Sequence, residues 1–269
     1  MEKVSVIIPT FNRFKFLLNT IHSVQKQTYT NIEIIVINDC STQQEYYSFD
    51  WEANNVIIIH LRENTKKKFG YPCAAYVRNQ GIKKSTGKYV AFCDDDDIWL
   101  PHKTELQLKE MKNSNSKMSS TDGYIGNGVY NKNIAYYKYN EHYYYPTLFS
   151  IYENHYSNKF IKKLKKIPFI KSIPVLKSKN LLEEGFPQIW DFNFLSIHNC
   201  MITSSVIIHK SILDKINNFK NLKPPGEDYD CWLRALKHTN SVYVNEVCFY
   251  YDLGHGDGRN YEYGSFTKR

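Results

Sequence analysis

The stretch "YVAFCDDDDIWLP", residues 89 to 101, ends an apolar run on four consecutive aspartates and then resumes with Ile98, Trp99 and Leu100. Four adjacent carboxylates repel one another, and each is costly to bury unless paired, hydrogen-bonded or metal-bound. An acidic run between two buried-looking segments therefore needs compensation. What surrounds it decides the fold.

Upstream, "VSVIIP" (4–9), "IEIIVIN" (32–38) and "NVIIIHL" (55–61) are further continuous apolar runs of strand length, and "KYVAFC" (88–93) leads into the aspartates. Between them Leu17, Leu18, Ile21 and Val24 recur at helical spacing, and residues 72–84 read as a second helix. Pro101 opens another, with Leu106, Leu108 and Met111 inside it. Continuous rather than alternating apolar strands, separated by helices, predict an α/β fold with a mostly parallel sheet covered on both faces.

Ligands of such open sheets bind outside the carboxyl ends of the strands. Three polar clusters fall there: Pro9, Thr10, Phe11, Asn12 and Arg13 after the first strand, Asp39 in "NDCS" after the second, and Asp94–Asp97 after the fourth. Neither GxGxxG nor GxxxxGK[ST] occurs, so no glycine-rich phosphate cradle is present. A diphosphate held at this edge would need a divalent cation between it and the carboxylates. A solvated acidic loop capping the next helix is the alternative. It accounts for the helix-proximal charges through the dipole but leaves the other two clusters unexplained.

Beyond residue 112 the pattern loosens. "NSNSKMSSTDG" (113–123) reads as a loop, and "YYKYNEHYYYP" (136–146) is dense in tyrosine. The basic amphipathic stretch 158–180 either touches an anionic membrane surface or packs on its own core, with Pro168 and Pro174 cutting the helix short. "CMITSSVIIHKSIL" (200–213) reads as a strand leading into a helix. "PPGEDYDCWLRAL" (224–236) reads as a tight turn entering a helix with Tyr229, Trp232, Leu233 and Leu236 as its buried stripe. Glu227, Asp228 and Asp230 stand at that helix's start.

The 269 residues carry a net charge of +8, which suits an anionic ligand, although a shared coding bias toward Lys, Asn, Ile and Tyr gives the same number. Six dispersed cysteines without CxxC spacing fit reduced thiols and a cytoplasmic location. No signal-peptide pattern opens the chain, and no apolar run reaches the roughly 18–20 residues of a spanning helix. No motif supports nucleic-acid binding.

Taken in order, "VSVIIPTFNR", "IEIIVINDCS", "VRNQGIKKSTGKYVAFCDDDDIW" and "GEDYDCWLRAL" resemble glycosyltransferase family 2, the inverting enzymes with a GT-A fold. The resemblance covers about 1–112 and 198–236 and leaves the middle unmatched. It implies a single GT-A domain, with a nucleotide-sugar-binding half at 1–112 and an acceptor-binding, catalytic-base half at 113–269. Pro9, Thr10 and Asp39 would contact the nucleoside, Asp39 recognising the base, and Arg78, Asp94 and Asp95 would complete the nucleotide site. Asp96 would hold Mn2+ or Mg2+, with His255 in "LGHGDG" as its partner ligand, and Asp228 would be the general base, Glu227 standing next in line. The implied reaction moves a sugar from a UDP-sugar to a hydroxyl of a glycan, lipid-linked or protein acceptor. A sugar nucleotidyltransferase, or a silent nucleotide-sugar-binding module, is the alternative.

Overall fold

The computed structural model describes residues 1–140, 148–152, 182 and 185–254. The basic stretch 158–180, most of the tyrosine-dense 136–146 segment and His255 lie outside the described residues. The chain opens with β1 (Val4–Thr10), α1 (Phe14–Gln25), β2 (Ile32–Asn38), α2 (Glu45–Ser48), β3 (Val56–His60), α3 (Thr65–Phe69), α4 (Ala74–Lys84) and β4 (Tyr89–Phe92). These strands form the parallel run β3-β2-β1-β4, in register so that Ile7 lies beside Ile35 and Phe92.

Neighbouring residues of a strand face opposite sides of the sheet, and here both sides are covered. On one, Ile7, Ile35, Ile37 and Phe92 pack with Val77 and Ile82 of α4. On the other, Val6, Ile8, Ile34 and Val36 pack with Leu17, Ile21 and Val24 of α1. Two covered faces explain why the strands are apolar without alternation.

The second half continues with β5 (Ile98–Trp99), α5 (Lys103–Asn113), β6 (Met118–Gly126), β7 (Tyr137–Lys138), β8 (Ile189–Trp190), α6 (Phe192–Leu195), β9 (Ile207–His209), α7 (Lys210–Lys215), α8 (Glu227–Leu236) and β10 (Ser241–Asp252). One sheet runs through both halves in the order β3-β2-β1-β4-β9-β6-β10-β5, with β7 on β6 and β8 on β10. The pairing of β6 with β10 is parallel, while β9 is antiparallel to both β4 and β6.

Three local readings change. The segment 113–123 is not a loop throughout: from Met118 it is β6, a strand with Ser119, Ser120, Thr121 and Asp122 all buried. Tertiary pairing overrides its polar composition, and Gln107 Nε2 donates to Ser119 Oγ at 2.9 Å. Pro101 lies in a turn, and α5 begins at Lys103. The buried face of α8 is Cys231, Trp232, Ala235 and Leu236, with Tyr229 and Leu233 half-buried beside it. Among the described residues, no helix is long and apolar enough to cross a membrane. All six cysteines are free.

Candidate active site

The carboxyl ends of β1, β2 and β4 meet at one edge. Asp39 N donates to Thr10 O at 2.9 Å, which ties the ends of β2 and β1 together. Asn12 turns the chain there with a φ of 54°, in the left-handed region that asparagine tolerates. Its N–H donates to Ser41 Oγ at 2.8 Å, and its Oδ1 accepts from Thr42 N at 2.7 Å. Tyr46 Oη accepts from Arg13 N at 3.0 Å and shares a 2.6 Å hydrogen bond with the Thr10 hydroxyl. Pro9 lies half-buried within β1, beside Ile37.

Asp39 is buried and oriented by the start of α3. Its Oδ1 accepts from Thr65 N at 2.8 Å and its Oδ2 from Thr65 Oγ1 at 2.6 Å, with Asn64 Nδ2 at 3.3 Å. Burial pushes this carboxyl above its ordinary range, and the two Thr65 donors pull it partly back.

The four aspartates of the run have three different sets of partners. Asp94, half-buried, accepts from Arg78 Nη2 at 2.7 Å. Asp95 and Asp96, both buried, share Arg13 Nη1, at 3.0 and 2.8 Å. Burial carries the Asp95 carboxyl up to about 7, against the pull of Arg13 and with the push of Asp96. Asp97 has no exposure, and its Oδ1 accepts from Asp252 N at 3.2 Å. Burial, then Asp96 and Asp94, hold its carboxyl well above the usual range. The compensation demanded by the sequence thus includes two guanidiniums, one from the loop after β1 and one from α4.

Arg78 also reaches across the molecule. Its Nη1 donates to Glu227 Oε1 at 3.3 Å, in the first turn of α8. Burial opposes the guanidinium's charge, but Asp94 and Glu227 outweigh it and raise its pKa. Just before that turn Gly226 takes a φ of 119°, which L side chains rarely adopt, so glycine is needed where the chain swings into α8. Asp228 follows Glu227. Its Oδ1 accepts from Tyr229 N at 2.6 Å and its Oδ2 from Thr203 Oγ1 at 3.1 Å. Burial and then Glu227 push its carboxyl up, while Arg78 pulls it down.

A family model, that of glycosyl transferase family 2, matches residues 5–169. The chain belongs to this family. The match takes in β1 to β4 and the aspartate run and extends into the middle that the motifs alone leave unmatched; α8 lies outside it. An uncharacterized glycosyltransferase of Rickettsia bellii is 46% identical over 121 residues, 44% of this chain and 16% of that protein. WfgD of Escherichia coli, a UDP-Glc:alpha-D-GlcNAc-diphosphoundecaprenol beta-1,3-glucosyltransferase, is 34% identical over 112 residues, 42% of each chain. The matched region therefore spans less than half the length of either relative. TarS 1-349 of S. aureus in complex with UDP-GlcNAc has a TM-score of 0.57 at 18% identity, covering 93% of this chain and 58% of that one. A mannosyltransferase of Pyrobaculum calidifontis in complex with GDP-Man and Mn2+ has a TM-score of 0.54 at 13% identity, covering 93% and 56%. The fold is the GT-A fold of these glycosyltransferase structures.

In this family 2 chain, no group of three or more His, Cys, Asp or Glu among the described residues is arranged to hold a metal ion. An ion of the Mg2+ type needs no such cage, since it is commonly held by one or two carboxylates plus substrate phosphates. Asp96 carries the hard oxygens such an ion takes, and in this structure its Oδ2 accepts from Arg13 Nη1 at 2.8 Å. The edge brings together Thr10, Asp39, Arg78, Asp94, Asp95 and Asp96, and Arg78 links them to the helix start carrying Asp228. Arg13, Thr65 and Thr203 have no role in the sequence motifs but hold the site's carboxylates. Only Arg13 carried a signal, its place in the polar run directly after the first strand.

Proposed function

We propose that this family 2 chain transfers a sugar from a nucleotide-diphosphate sugar, a UDP-sugar, to an acceptor hydroxyl with inversion and with the help of Mn2+ or Mg2+. The observation that carries this reading is the Arg78 bridge, 2.7 Å to Asp94 and 3.3 Å to Glu227, with Asp228 alongside. A donor seated against the acidic run would thereby lie next to a second, independently held carboxylate.

In this reading residues 1–112 bind donor and 113–269 supply acceptor site and base. Pro9, Thr10 and Asp39 contact the nucleoside, Asp39 accepting from the base, and Arg78, Asp94 and Asp95 line the nucleotide. Asp96 and His255 would hold the cation, which when bound supplies Lewis-acid stabilisation of charge on the leaving phosphate. Arg78 brings a permanent positive charge to the same side. Asp228 takes the acceptor's proton as its oxygen attacks C1, and a carboxyl raised by burial is a better base near neutrality. One displacement inverts the anomeric centre and needs no enzymic nucleophile, unlike a retaining hydrolase.

The UDP-GlcNAc complex of TarS and the donor in WfgD's name support a UDP-sugar. The acceptor in WfgD's name supports a lipid-linked glycan among the acceptor classes. Six free thiols suit a cytoplasmic setting. The test is metal-dependent release of free nucleotide from a panel of nucleotide sugars, with and without EDTA. Release of UDP that EDTA abolishes supports the reading. Binding of UDP with no release from any sugar would make the chain a silent binding module.

A further inference from the structure

The short turn Thr203–Ser205 precedes β9, and all three of its residues are buried. It is gripped from behind. Ser205 O accepts from Gln107 Nε2 at 2.8 Å and from Lys103 Nζ at 3.4 Å. Lys103, without exposure, also donates to Gln107 Oε1 at 2.6 Å and lies 4.0 Å from the centre of the Trp99 ring. Forward, the turn offers two hydroxyls in succession. Thr203 Oγ1 donates to Asp228 Oδ2 at 3.1 Å, and Ser204 Oγ accepts from Asp94 N at 3.0 Å.

We propose that this turn is a strut shared by the two sides of the site: Thr203 is a positioning residue for Asp228, and Ser204 for Asp94. The inference rests on the reading of Asp228 as base. Of the two donors to Asp228, Tyr229 N belongs to the same helix and moves with it. Arg78 holds the neighbouring Glu227; among the described residues Thr203 is the donor from another element that fixes the Asp228 carboxylate itself relative to the donor side. A β-branched threonine is stiff about χ1 and presents its hydroxyl in few directions. Since misplacement by an ångström can cost about 10²-fold in rate, the hydroxyl has kinetic consequences although it touches no substrate. Ser204 has a different duty. It holds the backbone at Asp94, whose carboxylate lies on the nucleotide side.

The two hydroxyls should therefore separate in kinetics. The experiment measures kcat, donor KM, the UDP dissociation constant and melting temperature for the wild type, Asp228→Asn, Thr203→Val, Thr203→Ser and Ser204→Ala. Thr203→Val keeps the shape and should lower kcat by about 10–10²-fold with UDP affinity unchanged. Thr203→Ser should recover most of that loss. Ser204→Ala should raise donor KM more than it lowers kcat. If Thr203→Val does not fold, Thr203→Ala decides on the same readouts. A Thr203 variant without the hydroxyl but with full kcat, or one whose loss lies in UDP affinity, overturns the strut while an inactive Asp228→Asn leaves the base reading standing. A fully active Asp228→Asn overturns the base reading itself, and Thr203's role with it.

Discussion

Asp228 is pulled in two directions: burial and Glu227 favour its protonated form, while Arg78 and two hydrogen-bond donors favour the anion. A carboxylate held there merely to cap α8 would be worth about 1 kcal/mol and nothing in rate. A base is worth about 10²–10⁴ in rate. Asp228→Asn is therefore expected to keep UDP binding and lose transfer by that factor; full activity with a slightly lowered melting temperature would make Asp228 a cap and move the role to Glu227. Arg13 sets a second expectation. Removing one partner of a buried ion pair costs about 3–5 kcal/mol, and Arg13 serves two carboxylates. Arg13→Met should lower the melting temperature more than loss of any exposed cation, and an unchanged melting curve would show that Asp95 and Asp96 find their compensation elsewhere. The acids themselves were legible in the sequence. The Arg13 partner of Asp95 and Asp96 is hidden in the sequence, because it stands 82 residues before Asp95 and the pairing of β1 with β4 brings the two together.

Among the elements, α4 is the one whose placement the site depends on most. It carries Arg78, and it lies so close to the sheet that a Cβ at Gly81 would come within 2.6 Å of Ile7 Cγ2 and 2.7 Å of Ile37 Cδ1. Gly81→Ala gains helix propensity of about 1 kcal/mol but overpacks a filled core, at a cost of about 1–3 kcal/mol. The net expectation is a lower melting temperature and weaker UDP binding as Arg78 is displaced. A stabilised variant with normal UDP affinity would show that the neighbouring side chains give way.

Helix α5 makes a pH prediction through Lys103, whose ammonium burial lowers from 10.5 to about 7. Between those values the unfolded chain binds a proton that the folded one does not, so this group's contribution to stability rises with pH through that window. Relative to Lys103→Met, the wild type should gain melting temperature from about pH 7 to 10, and parallel curves would contradict the shift. Strands β1 to β4 were legible because two covered faces demand unbroken apolar runs. Strand β6 was hidden by its buried hydroxyls. Strand β10 carries an apolar pattern in Val242, Tyr243 and Val244 but lies beyond the last of the four motifs.

Over the whole molecule, one sheet joins β1–β4 to the strands of the second half, and the proposed site lies where Arg78 spans from α4 to α8. The overall charge of +8 coexists with an acidic edge, so net charge alone is a poor guide to what binds there. Which sugar and which acceptor are used was never legible, because those choices rest on side chains outside the four motifs. Calorimetric titration of UDP into the wild type and Asp39→Ala, with and without Mn2+, tests the edge site most directly. A hydrogen bond to a charged group is worth about 1.5–3 kcal/mol, or about 10–10²-fold in affinity. The wild type should bind UDP, more tightly with Mn2+, and Asp39→Ala should bind it weaker by that factor. No binding by the wild type, or equal affinity in the two proteins, would contradict a nucleotide site at this edge.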